Sequence, residues 1–182
     1  MQLVPYSDDD LWLIEELETD PETMRELGGP VIRERIPAIH ARRLSTVTAG
    51  DWYFKIIPDP GGPPAGTIGI WAAKWRGQDI HETGWMVLPS FQGRGVATQA
   101  LGLILSRART ERRFQRIHAF PSVGNAASNA LCRRFGFTLT EETDFEYRDR
   151  LLRVNHWELE VGDPGLEPGT SSLSEKRSNR LS

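Results

Sequence analysis

Apolar residues recur at two different spacings along the chain, and the change of spacing separates helices from strands. In residues 31–47 and 96–109 they lie three or four positions apart, which is typical of a helix with one buried face. Residues 51–57, 65–73 and 81–88 are instead rich in β-branched and aromatic side chains, which predicts strands. The first two strands flank the loop sequence PDPGGPP, so we expect them to be antiparallel.

Further short elements flank this central part. Residues 1–6 predict a strand, and Ser7 followed by three aspartates predicts a helix start with a capping hydroxyl. Asp20 and Pro21 indicate a second start. Strand and helix patterns then alternate before a final hairpin, over residues 116–120, 125–137, 138–143 and 151–161. This order predicts a mixed α/β (α+β) sheet rather than a doubly wound one.

Length and composition predict a single domain with a short C-terminal tail. The chain has 182 residues, a net charge of -3 and one cysteine, Cys132. We expect residues 1–161 to form the domain, whereas residues 162–182 are rich in Gly, Pro and Ser, which predicts disorder. The charge gives no indication of nucleic-acid binding, and no apolar run is long enough to span a membrane. With no signal-like N-terminus and no possible internal disulfide, we expect a cytoplasmic protein.

The segment FQGRGVAT joins the strand at 81–88 to the helix that follows it. Gly93 and Gly95 allow a tight turn, and the free N–H groups of a helix start attract anions, as does Arg94. A phosphate site is therefore one prediction, and a plain strand-to-helix corner is the other. The segment lacks the Gly-Lys-Ser/Thr ending of a P-loop, and Thr98 replaces the third glycine of a dinucleotide-binding turn.

Gln92, Gly95 and Ala97 match another pattern, Gln/Arg-x-x-Gly-x-Gly/Ala. Together with it, the segments HETGWMVLPSFQGRGVATQAL and RIHAFPSVGNAASNALCRRFGF resemble the GNAT superfamily of N-acetyltransferases. The resemblance is greatest to the branch of ribosomal-protein N-terminal acetyltransferases, and its specific part covers about residues 81–137. It implies a central, mostly antiparallel sheet of about seven strands flanked by helices.

The resemblance also implies the chemistry. The acetyl group of acetyl-CoA would pass directly to a primary amine in a ternary complex, and the amine would belong to a protein N-terminus or to a small molecule. No metal, nucleic acid or membrane is expected to take part, and the protein would be a monomer or a homodimer. The alternative is a non-catalytic protein that binds or sequesters acyl-CoA on the same fold.

Carried over by position, the resemblance assigns the cofactor contacts to backbone groups. The N–H groups of six consecutive residues would hold the pyrophosphate: Gln92, Gly93, Arg94, Gly95, Val96 and Ala97. The backbone of Met86, Val87 and Leu88 would pair with the pantetheine arm, and the Val87 N–H would stabilise the oxyanion formed from the thioester. Asn125 would contact the pantetheine near the thioester.

Transfer to an amine requires a base, because the nucleophile must lose a proton, and an acid helps the thiolate to leave. Glu82 occupies the position of a Glu-x-Gly element in similar enzymes and is the expected base. His81 is a weaker candidate, since it lies on the opposite face of the strand. Ser128 matches the serine of the N-terminal acetyltransferase branch and is the expected acid. Cys132, which replaces a tyrosine common in the superfamily, is the alternative.

Acceptor specificity, by the same resemblance, comes mainly from the first helices and the terminal hairpin. Four acids lie in this region: Glu15, Glu16, Glu18 and Glu22. They could attract a cationic amine, but a solvent-exposed helix face is the expected explanation. Two tryptophans in strands, Trp71 and Trp85, are expected to pack in the core.

Overall fold

The computed structural model describes residues 1–148 and 150–162, which form seven strands, four α-helices and short 3₁₀ turns. The strands are β1 (Gln2–Pro5), β2 (Trp52–Ile57), β3 (Gly66–Trp75), β4 (Gln78–Val87), β5 (Arg116–Ala119), β6 (Thr138–Tyr147) and β7 (Arg150–Glu160). The helices are α1 (Leu11–Thr19), α2 (Ile36–Thr48), α3 (Val96–Glu111) and α4 (Ala126–Arg134). The predicted disordered tail lies, from residue 163 onward, outside the described residues.

All seven strands belong to one sheet, in the order β1-β2-β3-β4-β5-β7-β6. Neighbouring strands are antiparallel, except that β4 and β5 are parallel. The terminal hairpin is formed by β6 and β7, and β7 adds to β5. The predicted mixed α/β fold with a mostly antiparallel, seven-stranded sheet is thus confirmed.

The sheet separates two layers of helices. On one face, α3 and α4 cover the main core, in which Ile104 and Cys132 are fully buried. On the other face, α1 and α2 pack against β2 through Ile14, Ile36 and Tyr53. Successive side chains of a strand point to opposite faces, so each strand contributes to both layers. Among the described residues, no helix is long and apolar enough to cross a membrane.

Short polar contacts determine where α1 begins. The Ser7 N–H donates to Asp10 Oδ2 at 2.8 Å, which closes the turn before the helix. Asp10 is buried, and Lys55 of β2 lies 2.8 Å from its other carboxylate oxygen, which anchors the helix start to the sheet. The second predicted start, at Asp20, is followed only by turns and a 3₁₀ turn at residues 25–27, so no α-helix forms there.

Strands β4 and β5 share a single register pair, Glu82 with His118, and then diverge. Beyond Glu82, β4 continues to Val87 with β3 along one edge. In the described part of the chain, no strand pairs with the other edge of β4 over this stretch. The divergence leaves a wedge in the middle of the sheet, and α3 begins shortly after its open end.

Candidate active site

The wedge between β4 and β5 opens into a cleft of about 1300 Å³. Its walls come from the second half of β4, the first turn of α3, the start of α4, helix α2 and the turn between β6 and β7. Pockets for one small molecule have volumes of roughly 300–1,000 Å³. This cleft therefore has space for two ligands side by side.

The peptide groups of β4 alternate between β3 and the cleft. The Leu88 N–H donates to the Ala65 carbonyl at 2.8 Å and so points toward β3. The peptide N–H and carbonyl of Val87 therefore point toward the cleft, and Gln92 Nε2 donates to this carbonyl at 2.9 Å. The Val87 N–H is thus a donor that the open edge of β4 presents to the cleft, as stabilisation of an oxyanion requires.

The same alternation changes the set of backbone groups available to a pantetheine arm. The peptide groups of Met86 and Leu88 face β3, where Met86 is the register partner of Thr67. The peptide N–H and carbonyl of Trp85, two residues before Val87, point toward the cleft. Of the three residues predicted to pair with the pantetheine arm, only Val87 has peptide groups that point toward the cleft, and Trp85 presents a further such pair that the position-by-position assignment did not include. Period-two alternation along the strand could have indicated it.

The loop before α3 forms an open cradle. Gly93 and Gly95 both have left-handed backbone angles, with φ of 71° and 75°, which strain residues other than glycine. A Cβ atom built on either glycine would meet nothing within 4 Å. The first N–H groups of α3, at Val96 and Ala97, have no acceptor within the helix. These residues fit a pyrophosphate, which needs free N–H donors and close approach to the backbone.

Two other residues of the loop have different surroundings. The Gln92 N–H donates to the Pro89 carbonyl at 3.2 Å, so this group belongs to the preceding turn and not to the free donors of the cradle. Its side chain instead binds the Val87 carbonyl. Arg94 is exposed, and its guanidinium lies 5.8 Å from the centre of the Phe91 ring. The free donors of the cradle thus begin after Gln92.

The first turn of α4 contributes two polar residues to the cleft. Asn125 Oδ1 accepts the Ser128 N–H at 3.0 Å and so caps the helix. Asn125 Nδ2 has no partner among the described residues, and both side chains line the cleft. Cys132, one turn further along, is fully buried in the main core, where burial raises the pKa of its thiol to about 12. Of the two predicted acids, only Ser128 reaches the cleft.

Glu82 lies where β4 and β5 begin to diverge, half-buried in the cleft. Burial raises the pKa of its carboxyl to about 7, against the lowering effects of Arg43, of a hydrogen bond with the Trp71 side chain and of Arg42. A carboxyl group with this pKa exchanges protons near neutral pH, as a general base must. Trp71, expected in the core, is instead half-buried beside Glu82 at the cleft.

His81 lies on the opposite face of β4, as expected. Its ring packs against Phe114 of the main core, with 4.9 Å between the ring centres. It therefore does not share the surroundings of Glu82, which leaves Glu82 as the carboxylate that combines a cleft position with a pKa near neutrality.

Among the described residues, one group has the residue types of a metal site: His118, His156 and Glu158. His118 Nδ1 and His156 Nε2 share a hydrogen bond of 2.9 Å, and Glu158 Oε1 lies 3.7 and 3.6 Å from these nitrogens. Burial lowers the pKa of both imidazoles, an effect that Glu158 opposes. The structure thus shows a buried histidine pair. His118 Nδ1 and His156 Nε2, the nitrogens that face each other, are already used in the hydrogen bond between the two rings.

Of the four acids predicted to lie on an exposed helix face, Glu16 and Glu22 are exposed, whereas Glu15 and Glu18 have other roles. Glu15 pairs with Arg33. Glu18 is fully buried, and its two oxygens accept from Arg148 at 2.6 and 2.7 Å, with Arg43 Nη2 at 3.8 Å. Glu18 therefore neither lies on a solvent-exposed face nor is available to attract a cationic acceptor amine. Its position four residues after Ile14, on the apolar stripe of α1, was the signal for burial.

The cleft also contains residues that carry no motif and that sequence analysis missed. They come from α2 and from the turn between β6 and β7, and they are Arg42, Arg43, Tyr147 and Arg148. Burial raises the pKa of Tyr147, as does Glu18 to a smaller extent, whereas Arg148, Arg43 and Arg42 lower it. These side chains meet only through the tertiary fold, since more than 100 positions separate them in sequence.

Several solved structures share this fold at low sequence identity. A ribosomal-protein-alanine N-acetyltransferase from Brucella melitensis has a TM-score of 0.72 at 19% identity, covering 88% of this chain and 99% of its own. A spermidine N-acetyltransferase from Vibrio cholerae, in complex with CoA and spermine, also has a TM-score of 0.72, at 16% identity and with coverages of 88% and 95%. The Salmonella typhimurium protein yncA, solved with acetyl-CoA, has a TM-score of 0.69 at 21% identity, with coverages of 93% and 98%.

These structures agree in fold, while their names give two different acceptors at the same TM-score. No curated protein matches the chain. The sequence profile of the acetyltransferase (GNAT) domain matches residues 1–138, which is most of the described chain and includes the loop before α3. The resemblance predicted from residues 81–137 is therefore confirmed, and the chain belongs to the GNAT family of acetyltransferases.

Proposed function

We propose that this enzyme transfers the acetyl group of acetyl-CoA directly to a primary amine in a ternary complex. The observation that carries the proposal is the open edge of β4, which has Glu82 at its closed end and the Val87 N–H near its open end. The part of the cleft lined by Val87, Asn125 and the loop before α3 (Gln92, Gly93 and residues 95–97) is called the cofactor half. The part lined by Glu82, Trp71 and α2 is called the acceptor half.

In the cofactor half, the backbone performs most of the binding. The N–H groups from Gly93 to Ala97 hold the pyrophosphate, because they converge on the open cradle at a positive helix end. The pantetheine arm adds to the open edge of β4 as an additional strand would. In this arrangement the thioester oxygen lies at the Val87 N–H. A preorganised hydrogen bond from this N–H stabilises the oxyanion of the transition state by several kcal/mol.

In the acceptor half, Glu82 prepares the nucleophile. The amine nitrogen gives a proton to the Glu82 carboxylate, directly or through water, and attacks the thioester carbon. A C–N bond forms and the C–S bond breaks as the tetrahedral intermediate collapses. With its pKa raised to about 7 by burial, Glu82 is largely ionised above neutral pH and still basic enough to accept the proton.

The leaving thiolate receives a proton on the α4 side of the cleft. Ser128 is the proposed donor, because its side chain lines the cleft one turn before the buried Cys132. A serine hydroxyl is a weaker acid than a thiol. We therefore propose that it donates a hydrogen bond to the sulfur and relays a proton from water. Asn125 Nδ2 is the proposed contact to the pantetheine amide.

The test is release of free thiol from acetyl-CoA, measured with purified protein and a panel of amines and N-terminal peptides. Mass spectrometry of the acceptor checks that one acetyl group is added per thiol released. We expect release that depends on the amine and exceeds hydrolysis without an acceptor. Tight binding of acetyl-CoA without amine-dependent release would instead support a non-catalytic binding protein and overturn the proposal.

A further inference from the structure

Three guanidinium groups line the inner acceptor half, and one of them pairs with a carboxylate that is fully buried. Arg42 and Arg43 come from α2, Arg148 comes from the turn between β6 and β7, and Glu18 comes from α1. Arg148 donates to both oxygens of Glu18, at 2.6 and 2.7 Å, and so forms a forked pair. The charge of Glu18 is thereby largely matched by one of the three arginines.

Arg43 is buried without a comparable partner. Its Nη2 lies 3.8 Å from Glu18, and its Nε is buried with no hydrogen-bond acceptor among the described residues. Its guanidinium lies 4.7 Å from the centre of the Tyr53 ring and 5.8 Å from that of Trp71. The aromatic rings stabilise the cation but accept no strong hydrogen bond, so Arg43 retains donors for a ligand.

Arg42 lies next to Arg43 on α2 and lines the same cleft, where its side chain is exposed. In residues 1–148 and 150–162, no side chain pairs with it. Burial lowers the pKa of Arg42, and Arg43 and Arg148 lower it further. This crowding of like charges is unfavourable in the free protein, so a bound anion would relieve it.

Among the described residues that line the cleft, arginines outnumber carboxylates. Glu82 carries a full charge only above its raised pKa of about 7. Glu22 and Glu146 line the rim and are exposed, so water and salt screen them, as they also screen the exposed Arg42. Glu26 is half-buried and accepts a hydrogen bond from Ser122 Oγ at 2.9 Å. The described lining of the cleft therefore carries an excess of cationic side chains, although the chain as a whole has a net charge of -3.

We infer that the acceptor amine carries an anionic group, a carboxylate or a phosphate, which binds to Arg42 and Arg43 beside Glu82. This inference rests on the proposed acetyl transfer and names its substrate class. Trp71 connects the two sites, because it contacts Glu82 on one side and the Arg43 guanidinium on the other. The amine thus reaches the base while the anion lies over the guanidinium groups.

The geometry disfavours a polycation as acceptor. A polyamine that placed one nitrogen at Glu82 would have to place another ammonium group among Arg42, Arg43 and Arg148. Like charges brought together in a partly dehydrated site repel each other strongly and so disfavour such an acceptor. The spermine in the related Vibrio cholerae structure therefore indicates the fold that the two proteins share and not the acceptor of this one.

The experiment compares acceptors of similar length and different charge by their kcat/KM for thiol release. β-Alanine and O-phosphoethanolamine are the carboxylate and phosphate probes, ethanolamine is neutral, and 1,3-diaminopropane is cationic. Three peptides that differ only in Asp, Asn or Lys at the second position test protein N-termini. We expect the anionic member of at least one series to exceed its neutral counterpart by about 10-fold or more, as for a charged hydrogen bond.

Variants of Arg42 test whether this residue causes the preference. Arg42→Gln should lower the anionic-to-neutral ratio of kcat/KM by about 10-fold, and Arg42→Glu should favour the cationic member of the series. Arg109→Gln is the matched control, because Arg109 is exposed on α3 away from the cleft, and its ratio should equal that of the wild type. Melting temperatures check that each variant is folded.

The outcomes separate the two levels of the proposal. Amine-dependent release with a preference for neutral or cationic acceptors overturns the inference and leaves acetyl transfer standing. An anionic preference that Arg42→Gln and Arg42→Glu do not change also overturns it, because another surface would then provide the selectivity. Absence of amine-dependent release with every probe, despite binding of acetyl-CoA, contradicts the proposed function itself.

Discussion

The two halves of the cleft are constructed differently. The cofactor half presents mainly backbone groups, from the open edge of β4 and the first turn of α3, within a segment of fewer than 20 residues. The acceptor half presents side chains from α2, β3, β4 and the turn between β6 and β7. Backbone donors suit a ligand that is always the same. Substitutions of side chains, in contrast, can change which acceptor binds without changing the sheet. The halves should therefore respond independently to mutation.

The largest effect is expected from a substitution that disrupts the acceptor half alone. Glu82→Gln removes the base but keeps the size of the side chain, so turnover should fall roughly 10²- to 10⁴-fold. Affinity for acetyl-CoA, measured by calorimetry, should stay within a few-fold of the wild type. Glu146→Gln, on the exposed rim of the cleft, is the control and should retain turnover.

The pH dependence of the same variant sharpens this test. Because burial raises the pKa of Glu82 to about 7, the wild-type rate should rise as the pH increases through 7 and the carboxyl loses its proton. The variant should lack this rise and follow only the ionisation of the amine, near 8 for an α-amine. An amine that has already lost its proton in solution needs no base. The rate of the variant should therefore approach that of the wild type above about pH 8. A variant with near-normal turnover at pH 7 would mean that water or another group is the base.

The next largest effect is expected from a substitution that disrupts the cofactor half alone. Gly95→Glu places a carboxylate in the pyrophosphate cradle, so affinity for acetyl-CoA should fall at least about 100-fold through charge repulsion and lost approach. Gly61→Glu is a matched control, because Gly61 has the same φ of 75° and equally open surroundings but lies in the loop between β2 and β3. Equal affinities for the two variants would refute the phosphate cradle.

The smallest effect separates two neighbouring positions on α4. Ser128→Ala should lower turnover about 10-fold with an unchanged melting temperature, because the side chain lines the cleft and donates only a relayed proton. Cys132→Ala should leave turnover unchanged and lower the melting temperature by a few degrees, since it removes about 1 kcal/mol of core packing. The reverse pattern would assign the acid to Cys132 and exclude Ser128.

The cofactor half was largely predictable, because its signals are local in sequence. Glycines at a strand-to-helix junction, the pattern of Gln92, Gly95 and Ala97, and an asparagine before α4 all report on backbone that folds within a few residues. The directions of the β4 peptides were less accessible. They depend on which edge pairs with β3, and that is known only once the Leu88 N–H is seen to bind Ala65.

The amino-acid sequence by itself determined the order of elements, the mixed sheet, the cradle before α3 and the position of Glu82 on β4. Only the tertiary structure decided that Glu18 is buried against Arg148, that Trp71 lies beside Glu82, and that Arg42 and Arg43 line the acceptor half. The reason is physical. Local patterns encode backbone conformation, but the charge and pKa of a site depend on burial and on neighbours from distant segments, which only packing of the helices on the sheet provides.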